Sequence, residues 1–330
     1  MSNFTNQTGN RTTNIDFFKG VLIILVISGH VLQGKMDESI LRTLIYSFHM
    51  PLFIGISGFL FNEEKVSRFS FIELVNKYWL RVIMPWIIAV IIYYILFGIQ
   101  HNYTILRFIK SLIHPFYHLW YIPGFISWIV LTWCLKKLKL NNSVILLIAL
   151  LISVISEILK CYPEIYKNYG IINSGIELIL YTFRPYFYFF FVFGLLFKHL
   201  ELKKPTMPEY IFPLLFFASV IFLFYNPNTV ISVLNFFLFN SFLLSLILKI
   251  SVNNLIPDNK NIEWIGINSL GIYLYHVIPI LVCKSLIGIQ NLVFFYTTVI
   301  LLELVFIVAY IYISKIDFMR KYAFGLPEKK

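Results

Sequence analysis

Long apolar runs, separated by short polar stretches, fill the chain from residue 17 almost to its carboxyl end. At about 20 apolar residues per bilayer crossing, they predict membrane helices near 17–34, 43–61, 82–99, 119–135, 143–160, 176–197, 209–225, 229–250, 268–289 and 291–313. The expected fold class is all-α, a polytopic membrane helix bundle of about ten transmembrane helices. The breaks after residues 225 and 289 rest on short connections.

Between the second and third spans, N-E-E-K-V-S-R-F-S-F-I-E-L-V-N-K-Y-W-L-R sets Phe71, Leu74, Val75 and Tyr78 at helical spacing among charges. That pattern predicts an amphipathic helix along the inner membrane surface. No segment is long and polar enough for a separate soluble domain. The expected organisation is a polar cytoplasmic tail over 1–15, one transmembrane domain over 16–314 and a basic cytoplasmic tail over 315–330. No internal repeat is visible, so a duplicated carrier architecture gets no direct support.

Composition agrees with this pattern. Of 330 residues, 59% are hydrophobic, 18% aromatic and only 13% charged, and the mean hydropathy is +0.79. Those values exclude a water-soluble globular domain and imply a multi-pass protein of the cell membrane, with membrane lipids around it. The formal charge of +11 does not indicate nucleic acid, because there is no basic patch with interleaved aromatics. Excess Lys and Arg in a membrane protein records topology and anionic headgroups. With the N-terminus inside, 19 of the 27 basic residues fall in inner segments and 7 in outer ones, with Arg184 left within a span. Both termini are therefore expected on the cytoplasmic side. Cys134, Cys161 and Cys283 are far apart, with neither a disulfide framework nor a zinc spacing, and no metal site is expected. The polar start M-S-N-F-T-N-Q-T-G-N-R-T-T-N precedes an apolar run without a small-x-small cleavage signature, which predicts an uncleaved first span.

Against this background, polar residues within spans stand out. In I-D-F-F-K-G-V-L-I-I-L-V-I-S-G-H, Lys19 and His30 are eleven positions apart, about three helical turns and roughly 16 Å along the axis, so they share a face. Lys19 also fits a topology lysine that snorkels to the inner interface beside Asp16. His49 in F-H-M-P-L-F-I-G-I-S-G-F-L-F is expected at nearly the depth of His30 on the neighbouring helix, where the two would form a polar pocket. Alternatively its hydrogen bond fixes the Pro51 kink. Gly55, Ser57 and Gly58 spell the G-x-S-G of intramembrane serine proteases, but Ser57 would lie far in depth from either histidine. Close helix packing is the better account of these small residues.

Further along, H-P-F-Y-H-L-W-Y-I-P brings His114, His118 and Trp120 to the outer rim of the fourth span. There they suit an interfacial belt or a surface on which saccharide rings stack. Arg184, within the sixth span beside Pro185, needs a partner, for which an anionic substrate group, Glu157 and Glu177 are candidates. E-W-I-G-I-N-S-L-G-I-Y-L-Y-H places Tyr273 one turn below His276, a histidine equally suited to the core and to catalysis. Together these residues imply a water-accessible shaft into which Lys19 and His30 both point.

The first of these motifs resembles the first-helix signature of the acyltransferase-3 family of integral membrane O-acyltransferases, in which a basic residue and a histidine are separated by ten. F-H-M-P-L-F-I-G-I-S-G-F-L-F is similar to the second-helix motif of its fucose 4-O-acetylase-like branch, and S-L-G-I-Y-L-Y-H to the late Tyr-Leu-x-His motif. The similarity extends from about residue 14 to 313. The resemblance implies transfer of an acetyl or other short acyl group from cytoplasmic acyl-CoA, acetyl-CoA above all, to a hydroxyl of a cell-surface or lipid-linked glycan. It makes Lys19 and His30 essential. Lysine stands where many members have arginine, which keeps the point charge and loses the bidentate fork.

In the mechanism this suggests, Lys19 and Arg81 hold the CoA phosphates, and His30 is base or acyl relay. His49 orients His30 or stabilises the oxyanion. His118, Trp120, Arg184, Tyr273 and His276 are expected at the substrate side. Some members carry an extracytoplasmic domain; here the reaction is expected to finish in the membrane domain or to pass the group to a separate partner protein. The competing reading is a multi-span transporter or exporter of a polysaccharide precursor or other small solute, which would share the composition.

Overall fold

In the computed structural model, which describes residues 13–101, 104–200 and 202–327, every described element is helical. In chain order the helices are α1 (Thr13–Val31), α2 (Ile40–Phe59), α3 (Glu63–Arg68), α4 (Phe71–Tyr78), α5 (Met84–His101), α6 (Ile105–Ile113), α7 (Tyr121–Lys137) and α8 (Asn142–Cys161). They continue with α9 (Ile171–Leu178), α10 (Tyr188–Phe197), α11 (Met207–Tyr225), α12 (Thr229–Val252), α13 (Lys260–Ile267), α14 (Ser269–Tyr275), α15 (Val277–Ile287) and α16 (Leu292–Ile313). Among the described residues, nine helices are long and apolar enough to cross a bilayer. A bent pair, Ile171–Phe183 with Pro185–Phe197, makes ten if it is counted as one span. All ten expected spans have a counterpart.

Two local expectations change. The amphipathic stretch does not form an independent surface helix: α4 runs through a π-helical turn, Trp79–Ile83, directly into α5. Leu74 and Tyr78 point inward, whereas Phe71 faces out. The sixth span is bent by 46° where Arg184 adopts left-handed backbone angles (φ 43°, ψ 60°). The following Pro185 disfavours right-handed helix at Arg184. The freed backbone is satisfied from α8, because Ser153 Oγ donates to the Pro185 carbonyl and accepts from the Phe189 amide, both at 2.9 Å.

Small residues let the central helices touch. A Cβ on Gly58 would strike the Phe191 carbonyl, and one on Gly194 the Gly55 carbonyl, so α2 and α10 pack backbone to backbone. This is the packing role expected of the G-x-S-G stretch. Pro51 leaves the Ser47 carbonyl without its helical donor, and Asn240 Nδ2 on α12 takes that place at 3.0 Å.

On the expected inner side, Glu63 accepts from Lys136 at 2.6 Å and from His199 at 2.5 Å, pinning α3 to the ends of α7 and α10. The segment after α16 folds back onto the bundle. Its turn Met319–Ala323 packs against Trp79–Ile83, Tyr275 Oη donates to the Ala323 carbonyl at 3.2 Å, and Phe324 lies against Tyr310. Arg11, Lys329 and Lys330 of the expected tails lie outside the described residues.

Candidate active site

Three imidazoles from distant parts of the chain meet inside the bundle. His30 stands on the last turn of α1. His118 is on the 3₁₀ turn Tyr117–Trp120, reached through Tyr117 in left-handed conformation (φ 39°). His276 occupies the joint between α14 and α15, three residues before Pro279, which has no amide to offer the Tyr275 carbonyl. The ring centres are 4.7 Å apart for His118 and His276, 5.3 Å for His30 and His276, and 5.7 Å for His30 and His118.

The hydrogen bonds fix the tautomers of two of these rings. A carbonyl oxygen only accepts, so the ring nitrogen facing it carries the proton. His276 Nδ1–H donates to the Tyr273 carbonyl at 2.8 Å, and His118 Nε2–H to the Leu274 carbonyl at 3.3 Å. In the neutral rings the lone pairs then sit on His276 Nε2 and His118 Nδ1. Both are buried and without a hydrogen-bond partner, although His276 is 0% and His118 2% exposed. Among the described residues no group of three His, Cys, Asp or Glu side chains is arranged to hold a metal ion.

Around the trio lies a shell of phenols. Tyr273 stacks edge-on to His118 at 5.0 Å and its hydroxyl donates to the His118 carbonyl. Tyr121 neighbours Tyr273 at 5.4 Å and shares a 3.0 Å hydrogen bond with Ser57 Oγ. Tyr93 on α5 packs 5.7 Å from His118. Tyr46 is the ring next to both His30, at 6.2 Å, and His49, at 5.0 Å.

The expected site residues do not all come together. His30, His118, Tyr273 and His276 come together. His49 meets the cluster by way of Tyr46, while its own Nδ1–H is committed to the Ile45 carbonyl at 2.6 Å, one turn back along α2. Lys19 stays at the other end of α1, paired with Asp16 at 3.2 Å. Arg81 is exposed on the turn between α4 and α5, beside the docked carboxyl-terminal turn that carries Arg320 and Lys321.

The rim expectation is revised. His118 and Trp120 are buried in the bundle, Trp120 at 5% exposure. Phe187 stacks on Trp120 at 5.6 Å and the Arg184 guanidinium lies 3.9 Å from its ring centre, so no open indole face remains for a sugar. Neither suggested carboxylate partners Arg184: Glu157 pairs with Lys160 at 2.7 Å, and Glu177 is exposed. The expected shaft is also corrected. On the turns between Lys19 and His30, Leu22, Ile23 and Val26 are 2%, 1% and 3% exposed and fill the space. That face of α1 is closed by packed side chains.

The sequence reading missed Tyr46, Tyr93, Tyr121 and Glu303. Tyr46 carried a signal, one helical turn before His49. Glu303 carried a stronger one, a carboxyl within the last apolar run. It is 8% exposed, neither oxygen has a hydrogen-bond partner, and it lines a cleft of about 420 Å³ between α1 and α16. Nothing in the apolar stretch around Tyr93 distinguishes it.

A family model described as an acyltransferase domain, that of the acyltransferase-3 family, matches residues 12–314. Two relatives are both named nodulation protein NolL. The one from Mesorhizobium japonicum is 40% identical over 85 residues, 24% of this chain and 22% of the relative. The one from Sinorhizobium fredii is 41% identical over 83 residues, 23% of this chain and 22% of the relative. The matched stretch thus spans less than a quarter of either relative's length. No solved structure matches the chain.

Proposed function

The chain belongs to the acyltransferase-3 family and is a multi-pass membrane acyltransferase; from that premise we propose that it moves an acetyl or other short acyl group from cytoplasmic acyl-CoA to a hydroxyl of a cell-surface or lipid-linked glycan. The observation that carries this reading is the convergence of the His30, His118 and His276 rings inside the bundle.

Transfer from a thioester to a hydroxyl needs a base for the hydroxyl and a proton for the leaving thiolate. His30 serves both. It takes the proton as the acceptor oxygen bonds to the acyl carbon, and returns it to sulfur as the C–S bond breaks, so no proton is gained or lost overall. The phenol of Tyr46 and the Arg184 guanidinium are the donors available to a developing oxyanion or to an anionic group of the acceptor. Lys19, Arg81 and the neighbouring Arg320 and Lys321 supply the cationic inner face for the CoA phosphates. Both termini face the cytoplasm in this arrangement, in keeping with the distribution of Lys and Arg. Either the membrane domain completes the transfer or a separate extracytoplasmic partner receives the group.

The test uses purified protein in liposomes. Thioester consumption that depends on a glycan acceptor is the expected result, and solute movement without acyl-CoA would point to a carrier instead. His30→Ala should abolish acylation while the protein remains in the membrane. Unchanged acylation in that variant would remove His30 from its role.

A further inference from the structure

Beyond the base itself, the pocket contains a nitrogen with nothing to bind. His276 Nε2 is a buried lone pair, held as such because Nδ1–H is tied to the Tyr273 carbonyl. Two imidazoles joined by an N–H···N bond have their centres roughly 5 Å apart, about 3 Å for the bond plus the two ring radii. His30 and His276 are separated by 5.3 Å, with their planes at 52°. A turn of the His30 ring closes the bond, as catalytic hydrogen bonds often tighten only when substrate is bound.

We infer that His276 is the positioning residue of His30: its Nε2 accepts one N–H of the His30 ring and so holds the opposite His30 nitrogen as the free base. The inference rests on the acyl transfer proposed above. When His30 takes the acceptor's proton, the same N–H···N contact becomes charge-assisted and strengthens as the imidazolium forms. A carboxylate in this place would do the same, but would bring a permanent charge among buried side chains, where charge is costly. A neutral imidazole avoids that cost at rest. The order of the chain supports the assignment: the carbonyl that fixes the His276 tautomer belongs to Tyr273, whose hydroxyl in turn anchors the His118 carbonyl. One helical turn thereby sets two of the three rings. In this role His276 acts through His30, its ring neighbour, which distinguishes it from the substrate contact expected of the Tyr-Leu-x-His stretch.

The test compares His276→Phe, which fills the space without a lone pair, with His276→Gln, whose amide oxygen reaches toward the Nε2 position. In the full-length protein in liposomes, His276→Phe should lower kcat by about 10²-fold, the size of a lost acid–base contribution, with KM for both substrates within about twofold of the parent. His276→Gln should recover about tenfold of that loss. A second readout needs no turnover. In protein labelled with ¹⁵N at histidine, neutral His30 should occupy one tautomer in the parent and in His276→Gln, and a mixture in His276→Phe. The proposal is overturned if His276→Phe keeps kcat within about threefold of the parent, or raises KM alone, or leaves the His30 tautomer unchanged. If the parent consumes no acyl-CoA, the functional reading fails while the tautomer measurement still decides the positioning of His30.

Discussion

His118 and His276 pack ring against ring with their centres 4.7 Å apart, and the hydroxyl of Tyr273, three residues before His276, holds the backbone carbonyl of His118. One short helix, α14, therefore carries both a member of the imidazole cluster and the clamp for another. Tyr273→Phe keeps the ring and removes the clamp. The buried His118 carbonyl is then left with the Tyr121 amide as its donor, a loss of about 0.5–1.5 kcal/mol. The shift of His118 should reduce acyl transfer by up to about 10²-fold, as small misplacements in active sites do. Thermal unfolding in detergent and turnover in liposomes measure the two effects separately. A Tyr273→Phe protein with parental stability would contradict the clamp.

The kink in α2 gives a prediction independent of function. Asn240 replaces the helical donor that Pro51 cannot supply to the Ser47 carbonyl. Asn240→Leu alone should destabilise by about 1–3 kcal/mol, the cost of a buried acceptor left unpaired. In a Pro51→Ala background, the new Ala amide can bond to Ser47, so the same change should cost markedly less. A double-mutant cycle of unfolding free energies reads this coupling. Additive effects would show that Asn240 does not serve the kink.

These relationships also mark what the sequence made legible. The spans were readable because a bilayer demands some 20 apolar residues wherever the chain crosses. Lys19, His30, His49, Arg184 and His276 were readable because ionisable groups are costly in that setting. Their partners were not. Helical periodicity fixes which residues share a face of one helix, but the meeting of His30 with His118 and His276 depends on how α1, the turn before α7 and the joint after α14 cross. Those crossings are set by contacts such as Gly58 on Phe191 and Gly194 on Gly55, of which the local pattern shows the small residues but not their partners. The closed packing of Leu22, Ile23 and Val26 between Lys19 and His30 escaped for the same reason: a stripe with polar ends looks alike whether its middle faces water or protein.

Arg184 offers a test of charge against shape. Its guanidinium lies over Trp120 while its backbone is left-handed. Arg184→Lys keeps the charge and loses the flat stack, and should cost about 0.5–1 kcal/mol of stability, the scale of a cation–π contact. Arg184→Gly loses the contact as well, but is relieved of the left-handed backbone, which costs a non-glycine residue about 1–2 kcal/mol. The glycine variant should therefore be at least as stable as the lysine variant and less active. Matched unfolding and turnover measurements check this, and the reverse order of stability would mean that the charge kept by lysine outweighs the backbone.

Glu303 is the carboxyl most at odds with its surroundings. It lies midway along α16, 8% exposed, with both oxygens lacking a hydrogen-bond partner, at a largely apolar cleft whose lining includes Ile27, Val31, Ile300 and Ile307 together with Ser28 and Tyr296. Burying a polar group without a partner costs about 1–3 kcal/mol, and replacing such a group by an apolar one of similar volume is often neutral or stabilising. Glu303→Leu should accordingly raise the midpoint of thermal unfolding in detergent. Glu303→Gln, which keeps the shape and the polarity, should change it little. If Glu303→Leu is instead destabilised by several kcal/mol, as follows removal of one partner from a buried pair, then the carboxyl is engaged by a group that the packed side chains do not supply. The unfolding midpoints of the two variants, measured side by side with and without added membrane lipid, separate these outcomes.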